Sequence, residues 1–159
     1  MQTTGNTILI TGGGSGIGRA LAEAFHRRGN QVIVAGRRQA LLDAVARDYP
    51  GVRTATFDAR DPRDIARLAA QITADFPALN AVVNNAGTMR IEDWRAASVD
   101  PASAEATIET NLLAPIRLTS ALLPQLRTQP RAAVLNVSSG LAFMTMAATP
   151  TYSATKAAL

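Results

Sequence analysis

Directly after a β-branched run, Thr7–Thr11, the chain reads TGGGSGIG, and an amphipathic stripe begins at Ile17. A strand that breaks into glycines and resumes as a helix leaves few options for the backbone. The glycines permit a tight turn and let the main chain approach a bulky anion, which the free N–H groups of the helix N-terminus would hold. The spacing departs from G-x-G-x-x-G, and Gly12-Gly13-Gly14 and Gly16-Ile17-Gly18 can be aligned with it in several ways. The plainer reading is a tight turn with no ligand. The strand before and the amphipathic helix after favour a phosphate cradle of the dinucleotide-binding kind.

The rest of the chain repeats this alternation. Further β-branched runs occur at Gln31–Ala35, Val52–Phe57, Ala81–Val83 and Ala133–Val137. Between them lie stripes at helical spacing: Ile17, Ala20, Leu21, Ala24 and Phe25, closed by Gly29; then Leu42, Val45, Ala46 and Tyr49, stopped by Pro50-Gly51. A third stripe, Ile65, Leu68, Ala69, Ile72 and Phe76, is opened by Asp61-Pro62 and stopped before Pro77. A fourth and longer one runs through Ile108, Leu112, Ile116, Thr119, Leu122 and Leu126, with a kink expected at Pro115. Strands that are nearly continuously apolar and alternate with helices predict an α/β fold with a parallel sheet covered on both faces. Right-handed crossovers make it doubly wound. Residues 1–159 are read as a single domain, with 88–105 as its only sizeable irregular stretch.

Composition narrows the function. With 47% hydrophobic residues and 4% aromatics, the core is expected to be aliphatic. The chain has no cysteine, which excludes disulfides, thiolate metal sites and cysteine nucleophiles and suits a cytoplasmic location. His26 is the sole histidine and is read as a solvated helix-end residue, so no metal site is expected. There is no recognisable signal peptide, and no apolar run approaches the ~20 residues of a membrane span. The net charge of +4 is spread along the chain, which argues against a nucleic-acid patch. All the basic residues are arginine except one: Lys156 is the only lysine. An ammonium kept where guanidinium is otherwise the rule suggests a need for a compact cation.

The end of the second strand reads AGRR. Folds that bind NAD place an acid near this point to hold the ribose 2′-hydroxyl. Here Gly36 leaves room, and Arg37 or Arg38 can bind a 2′-phosphate by charge-assisted bonds, so NADP is expected over NAD. The competing reading makes both arginines solvated residues at a helix start.

Together these motifs resemble the short-chain dehydrogenase/reductase family across essentially the whole chain. Thr11, Gly12, Gly16 and Gly18 fit its TGxxxGxG pattern, NNAG at Asn84–Gly87 follows the fourth strand, and Asn111 lies in ETNLLAP. NVSSG supplies Ser139, and YSATK supplies Tyr152 and Lys156. The run AAVLNVSSGLAF followed by YSATKAAL is similar to a bacterial subgroup labelled DltE-type. The resemblance implies a Rossmann-like sheet of strand order 3-2-1-4-5 and an oxidoreductase that interconverts a carbonyl and an alcohol by hydride transfer. Its partner would be a small-molecule substrate, and the full-length form a homodimer or homotetramer, with neither nucleic acid nor membrane involved. The implied catalytic set is Asn111, Ser139, Tyr152 and Lys156. The implied cofactor contacts are Gly12, Gly14, Ser15, Gly16, Ile17, Gly18, Arg37, Arg38, Asp58, Ala59, Asn85, Ala86, Gly87, Tyr152 and Lys156, with Asn84 also lining the cleft through its backbone.

The residue types support that chemistry. Tyr152 and Lys156 stand four apart, on one helical face. A free phenol has a pKa of about 10, too high for a good base at neutral pH. Lowering it by two to three units requires roughly 3–4 kcal/mol of preferential phenolate stabilisation. An ammonium about 4 Å away contributes on the order of 4 kcal/mol at an effective dielectric near 20. By the resemblance, Lys156 would also bond the nicotinamide ribose, Ser139 would hold the substrate oxygen, and Asn111 would position a relay water. Several alternatives stay open. Ser138 rivals Ser139, with a strand-end hydroxyl bonded to backbone as its plainer reading. Asp58 would contact adenine or cap a helix. Trp94 is read as a local packing anchor ahead of a cleft border, and Phe143, Met144 and Met146 as a substrate wall or a loop cover.

Family members continue beyond the YxxxK helix, so the chain is expected to be incomplete at its C-terminus, with the fifth strand left as an edge. The alternative is a natural short form, a catalytically inactive cofactor-binding or interaction module.

Overall fold

The computed structural model describes residues 2–96 and 100–159. Five parallel strands, β1 (Thr7–Thr11), β2 (Gln31–Gly36), β3 (Arg53–Thr56), β4 (Leu79–Asn84) and β5 (Ala133–Asn136), form one sheet of order β3-β2-β1-β4-β5. Order and direction agree with the expected doubly wound fold. Helices α1 (Gly16–His26), α2 (Gln39–Asp48) and α3 (Pro62–Asp75) provide the first crossovers. The fourth segment is divided into α4 (Ala102–Ile108), a π-turn at Glu109–Leu113, and α5 (Ala114–Thr128). A short 3₁₀ turn (Gly140–Ala142) precedes α6 (Pro150–Ala157).

Strand residues alternate between two cores, as period-2 side chains require. Leu9, Ile33, Ala35, Ala55 and Val82 pack with α3 and α5, whereas Ile8, Ile10, Val32, Val34, Ala81 and Val83 pack with α1 and α2. In the stripes of α2 and α3, Leu42, Val45, Ile65, Leu68, Ala69 and Ile72 are buried as read from sequence, while Ala46, Tyr49 and Phe76 are only partly buried. Helix α3 also starts as its signal predicts, with Asp61 accepting a bond from Arg63 N and Pro62 at the first helical position, where a missing N–H costs nothing.

Two stripes depart from expectation. In α1 the fully buried positions are Gly18 and Ala22, with Leu21 and Phe25 packed beside them, while Ala20 and Ala24 face solvent and Ile17 is 65% exposed. A helix seated by a glycine approaches its neighbours more closely than the apolar count suggests, and Ile17 is left at the open end. In the fourth segment Ile108 and Ile116 are exposed, and Thr107, Asn111, Ala114, Pro115 and Leu118 face inward. Over the first half of the segment that face is one residue out of step with the predicted stripe and carries polar groups, whereas Leu122 and Leu126 are buried as read from sequence. The kink is the π-turn just ahead of Pro115. Proline lacks the N–H that would bond the carbonyl of Asn111, and its ring crowds that carbonyl. The chain absorbs both defects by widening the turn, with Ala114 N reaching back to Glu109 O.

Strand β5 is an edge of the sheet, with Val134 and Leu135 41% and 39% exposed, whereas the apolar residues of β1, β2 and β4 are buried. Trp94 is 60% exposed, so it does not anchor local packing as expected. The irregular stretch read at 88–105 lies partly outside the described residues.

Candidate active site

Every segment that builds the site leaves the carboxyl end of a strand, at the crevice between β1 and β4 where the strand order reverses. Thr11 closes β1 and ties it to the next strand. Its hydroxyl donates to the Val83 carbonyl at 3.4 Å and accepts from Asn85 N and Ala86 N at 3.1 and 3.0 Å. Asn85 returns the contact, donating from Nδ2 to the carbonyls of Thr11 and Gly12 at 2.9 and 3.4 Å. The glycine loop therefore lies flat on the NNAG segment, which explains its composition. A Cβ at Gly18 would stand 2.3 Å from the Gly12 carbonyl oxygen, and one at Gly12, whose φ is +68°, would meet Ala86 Cα at 2.9 Å. Gly13, absent from the sequence-derived set, is required for packing: a Cβ there would sit 2.6 Å from Val34 Cγ1.

Above the loop opens a cleft of about 310 Å³, within the range of small-molecule sites. Gly12, Gly14, Ser15 and Ile17 line one side, Gly36, Arg37 and Arg38 the end of β2, and Phe57 and Ala59 the exit of β3. Asn85, Ala86, Gly87 and Thr110 close the other side. No side chain caps the N-terminus of α1, so its amides face the cleft region without an intramolecular anion. Arg38 Nη2 donates to Ser15 Oγ at 3.0 Å, bridging the β2 end and the glycine loop. Neither Arg37 nor Arg38 forms a salt bridge among the described residues.

Besides Tyr152 and Lys156, four sequence-derived cofactor residues sit apart from this lining. Gly16 has φ +53° and open space around it, and Gly18 is packed against the Gly12 carbonyl. Asp58 turns its carboxylate along the β3–α3 connection, accepting from Arg60 N at 2.9 Å and lying 3.6 Å from the Arg60 guanidinium. Asn84 is a correction. Its carbonyl accepts from Val137 N at 2.9 Å and its buried side chain donates to Thr119 Oγ1 and Asn136 Oδ1, so it joins β4 to β5 and α5 and does not line the cleft.

The second half of the site surrounds Gly87. A Cβ at that glycine would lie 3.4 Å from Asn111 Oδ1 and 3.8 Å from Lys156 Nζ, so the position keeps two polar groups close. Asn111 is fully buried on the π-turn. Its Oδ1 accepts from Thr88 N at 2.8 Å, and its Nδ2 donates to the Thr88 carbonyl at 2.9 Å and to Thr155 Oγ1 at 3.2 Å. Tyr152 and Lys156 share one face of α6, with Nζ 5.9 Å from the phenol ring centroid. Lys156 is 5% exposed, donates to the Val137 carbonyl at 2.7 Å, and is held below the ordinary lysine pKa by burial.

The two serines separate by what they touch. Ser138 donates to the Lys156 carbonyl at 2.7 Å, the backbone role that was its plainer reading. Ser139, half-buried, opens the 3₁₀ turn and accepts from Leu141 N at 3.2 Å; that turn packs against α6. Phe143 and Met144 beyond it are 93% and 79% exposed. They cover no core, which removes the loop-cover reading.

The structure also engages residues that sequence reasoning passed over: Thr88, Thr155 and Glu92. Glu92 accepts from Thr151 N and Thr151 Oγ1 at 3.2 and 2.7 Å, across 59 positions of sequence. Only Pro150, as a helix-start residue without an N–H, hints in the sequence that α6 needs help at its first turn.

Comparison with known proteins follows this geometry. A family model described as short chain dehydrogenase matches residues 6–159. The oxidoreductase DltE of Bacillus subtilis is 40% identical over 159 residues, all of this chain and 63% of its own length. The crystal structure of a short-chain dehydrogenase from Streptomyces avermitilis superposes with a TM-score of 0.89 at 35% identity, over 98% of this chain and 58% of that one. A short-chain dehydrogenase from Shigella flexneri, solved with NADP, gives 0.89 at 28% identity over 98% of this chain and 67% of its own. The chain thus spans somewhat under two thirds of DltE.

Proposed function

The chain belongs to the short-chain dehydrogenase family, and from that premise we propose that it supplies the cofactor cleft and acid/base centre of an NADP-dependent oxidoreductase acting on a carbonyl or alcohol. The observation that carries the proposal is the convergence on Gly87 of a cleft floored by glycines and a phenol–ammonium pair on α6.

The residues present suit a dinucleotide. Gly12 and Gly18 leave a hollow that a Cβ would fill, the first turn of α1 has no internal cap, and Arg37 and Arg38 stand where a 2′-phosphate would reach. The NADP in the Shigella flexneri relative points to the same cofactor class. When bound, the nicotinamide supplies or accepts hydride. This chain's side chains manage the proton. Tyr152 Oη donates it to the substrate oxygen in reduction and takes it back in oxidation. Lys156 stabilises the phenolate electrostatically. Its burial sharpens that interaction, because a partly desolvated ammonium is less screened by water. Ser139 holds the substrate oxygen, and Asn111 fixes the wall on which Lys156 rests.

The test is NADPH oxidation by the purified protein with a panel of aldehydes and ketones, with Tyr152→Phe as the control. Turnover that Tyr152→Phe reduces at least a hundredfold supports the reading. Unchanged turnover in that variant would refute the acid/base assignment.

A further inference from the structure

Helix α6 carries both Tyr152 and Lys156, yet its own sequence does little to start it. Thr149, at the N-cap, makes no side-chain cap bond; Pro150 has no N–H; and the Ser153 N–H returns to the Thr149 carbonyl at 3.0 Å. Thr151 and Tyr152 carry the free N–H groups of that first turn, and that of Thr151 is satisfied from outside the helix. Glu92, half-buried on the loop that follows β4, accepts from Thr151 N through Oε1 at 3.2 Å and from Thr151 Oγ1 through Oε2 at 2.7 Å. Its backbone adds a third bond, Glu92 N to the Ala148 carbonyl at 2.9 Å. A carboxylate at this point also opposes the positive end of the helix dipole.

The same loop is held at its other end, because Thr88 is clamped by the Asn111 side chain. The segment from Thr88 to Glu92 is therefore a strap between the π-turn and α6. The residue after its anchor point is Tyr152.

We propose that Glu92 is a positioning residue for the reaction: it caps α6 in trans and holds the Tyr152 phenol and Lys156 ammonium in reacting geometry. The proposal rests on the oxidoreductase reading for its catalytic part. A catalytic group must stay within about 0.5 Å of its working place, and the first turn of a helix frays unless its free N–H groups find partners. A glutamate 59 positions away in sequence supplies that fixation where the N-cap side chain does not.

The experiment compares wild type, Glu92→Ala and Glu92→Gln in the full protein, by hydrogen exchange and by steady-state kinetics with NADPH and a carbonyl substrate. In Glu92→Ala, amides of 151–156 should exchange at least tenfold faster while those of Ile65–Ile72 in α3 keep their rates. Its kcat should fall at least tenfold with KM for NADPH changed less than threefold. Glu92→Gln, which retains an acceptor for Thr151 N–H, should recover most of both losses. Unchanged exchange over 151–156 in Glu92→Ala overturns the cap, as does equal acceleration in α3. Faster exchange with unchanged kcat overturns the positioning role. If wild type shows no turnover that depends on Tyr152, the oxidoreductase reading fails separately, and the exchange arm still decides whether Glu92 caps α6.

Discussion

The side-chain amide of Asn111 pairs with both backbone groups of Thr88, accepting from its N–H at 2.8 Å and donating to its carbonyl at 2.9 Å. Asn111 is fully buried, so the amide is committed to holding the loop after β4. Asn111→Ala leaves the partly buried N–H and C=O of Thr88 without these partners, each worth up to about 1–3 kcal/mol. We expect it to destabilise the protein by about 2–4 kcal/mol, measured by urea unfolding. A cost under about 1 kcal/mol would show that Thr88 finds other partners.

Gly18 and Gly16 lie two residues apart and should respond differently to alanine. At Gly18 the new Cβ meets backbone oxygen at 2.3 Å and Asn85 Nδ2 at 2.5 Å, with no flexible group to give way. Gly18→Ala should cost about 3 kcal/mol or more and weaken NADPH binding. At Gly16 nothing lies within 4 Å, and only its φ of +53° opposes a side chain. Gly16→Ala should therefore cost about 1–2 kcal/mol. Chemical denaturation of both variants checks the ranking.

Arg37 lines the cleft at the end of β2. If it meets a 2′-phosphate, Arg37→Ala removes a charge-assisted bond, and NADPH affinity should fall by about ten- to a hundredfold with NADH affinity little altered. Titration calorimetry with both nucleotides decides it, and an equal loss for the two would sink the assignment.

Asp64 accepts from Asp58 N at 2.6 Å and pairs with Arg67, and these bonds hold its carboxyl below the ordinary aspartate value of 3.8. The folded state therefore binds this proton less tightly than the unfolded chain. Its stabilisation is complete above 3.8 and is lost as pH falls through the lowered folded value. Asp64→Asn should cost about 1–2 kcal/mol at pH 7 and progressively less in acid. A gap that persists unchanged at pH 2 would contradict the linkage.

Lys156 has the opposite consequence. Burial lowers its pKa from 10.5, so between the lowered folded value and 10.5 the unfolded chain holds a proton that the folded chain has released. Stability contributed by this group rises with pH there, and the cost of burying the charge is full below the folded value. Wild type should gain stability relative to Lys156→Met as pH is raised from 7 toward 10.5. Paired denaturation curves across that range check the sign.

Features carried by contiguous residues are legible in the sequence. The strand–glycine–helix unit, the alternation that dictates a parallel sheet, the start of α3 at Asp61-Pro62, and the four-residue interval between Tyr152 and Lys156 all depend on local stereochemistry. The misread positions depend on neighbours distant in sequence. Ile17 and Ile116 look like core residues by hydrophobicity, yet one faces the open end of the sheet and the other is turned outward beyond the π-turn. Asn84 looks like part of the cleft because it begins NNAG, but the pleat directs it between β4 and β5.

The fold class, the glycine loop and the shared helical face of Tyr152 and Lys156 can be read from the sequence, because local backbone sterics and side-chain periodicity need no distant partner. What Asn111 holds, which serine bonds the backbone of Lys156, and that Glu92 bonds the first turn of α6 are visible only in the tertiary structure. Those are contacts between segments 18 to 59 positions apart. Polar pairing at that range is selected by the packing of the sheet and its helices, and no periodic pattern records it.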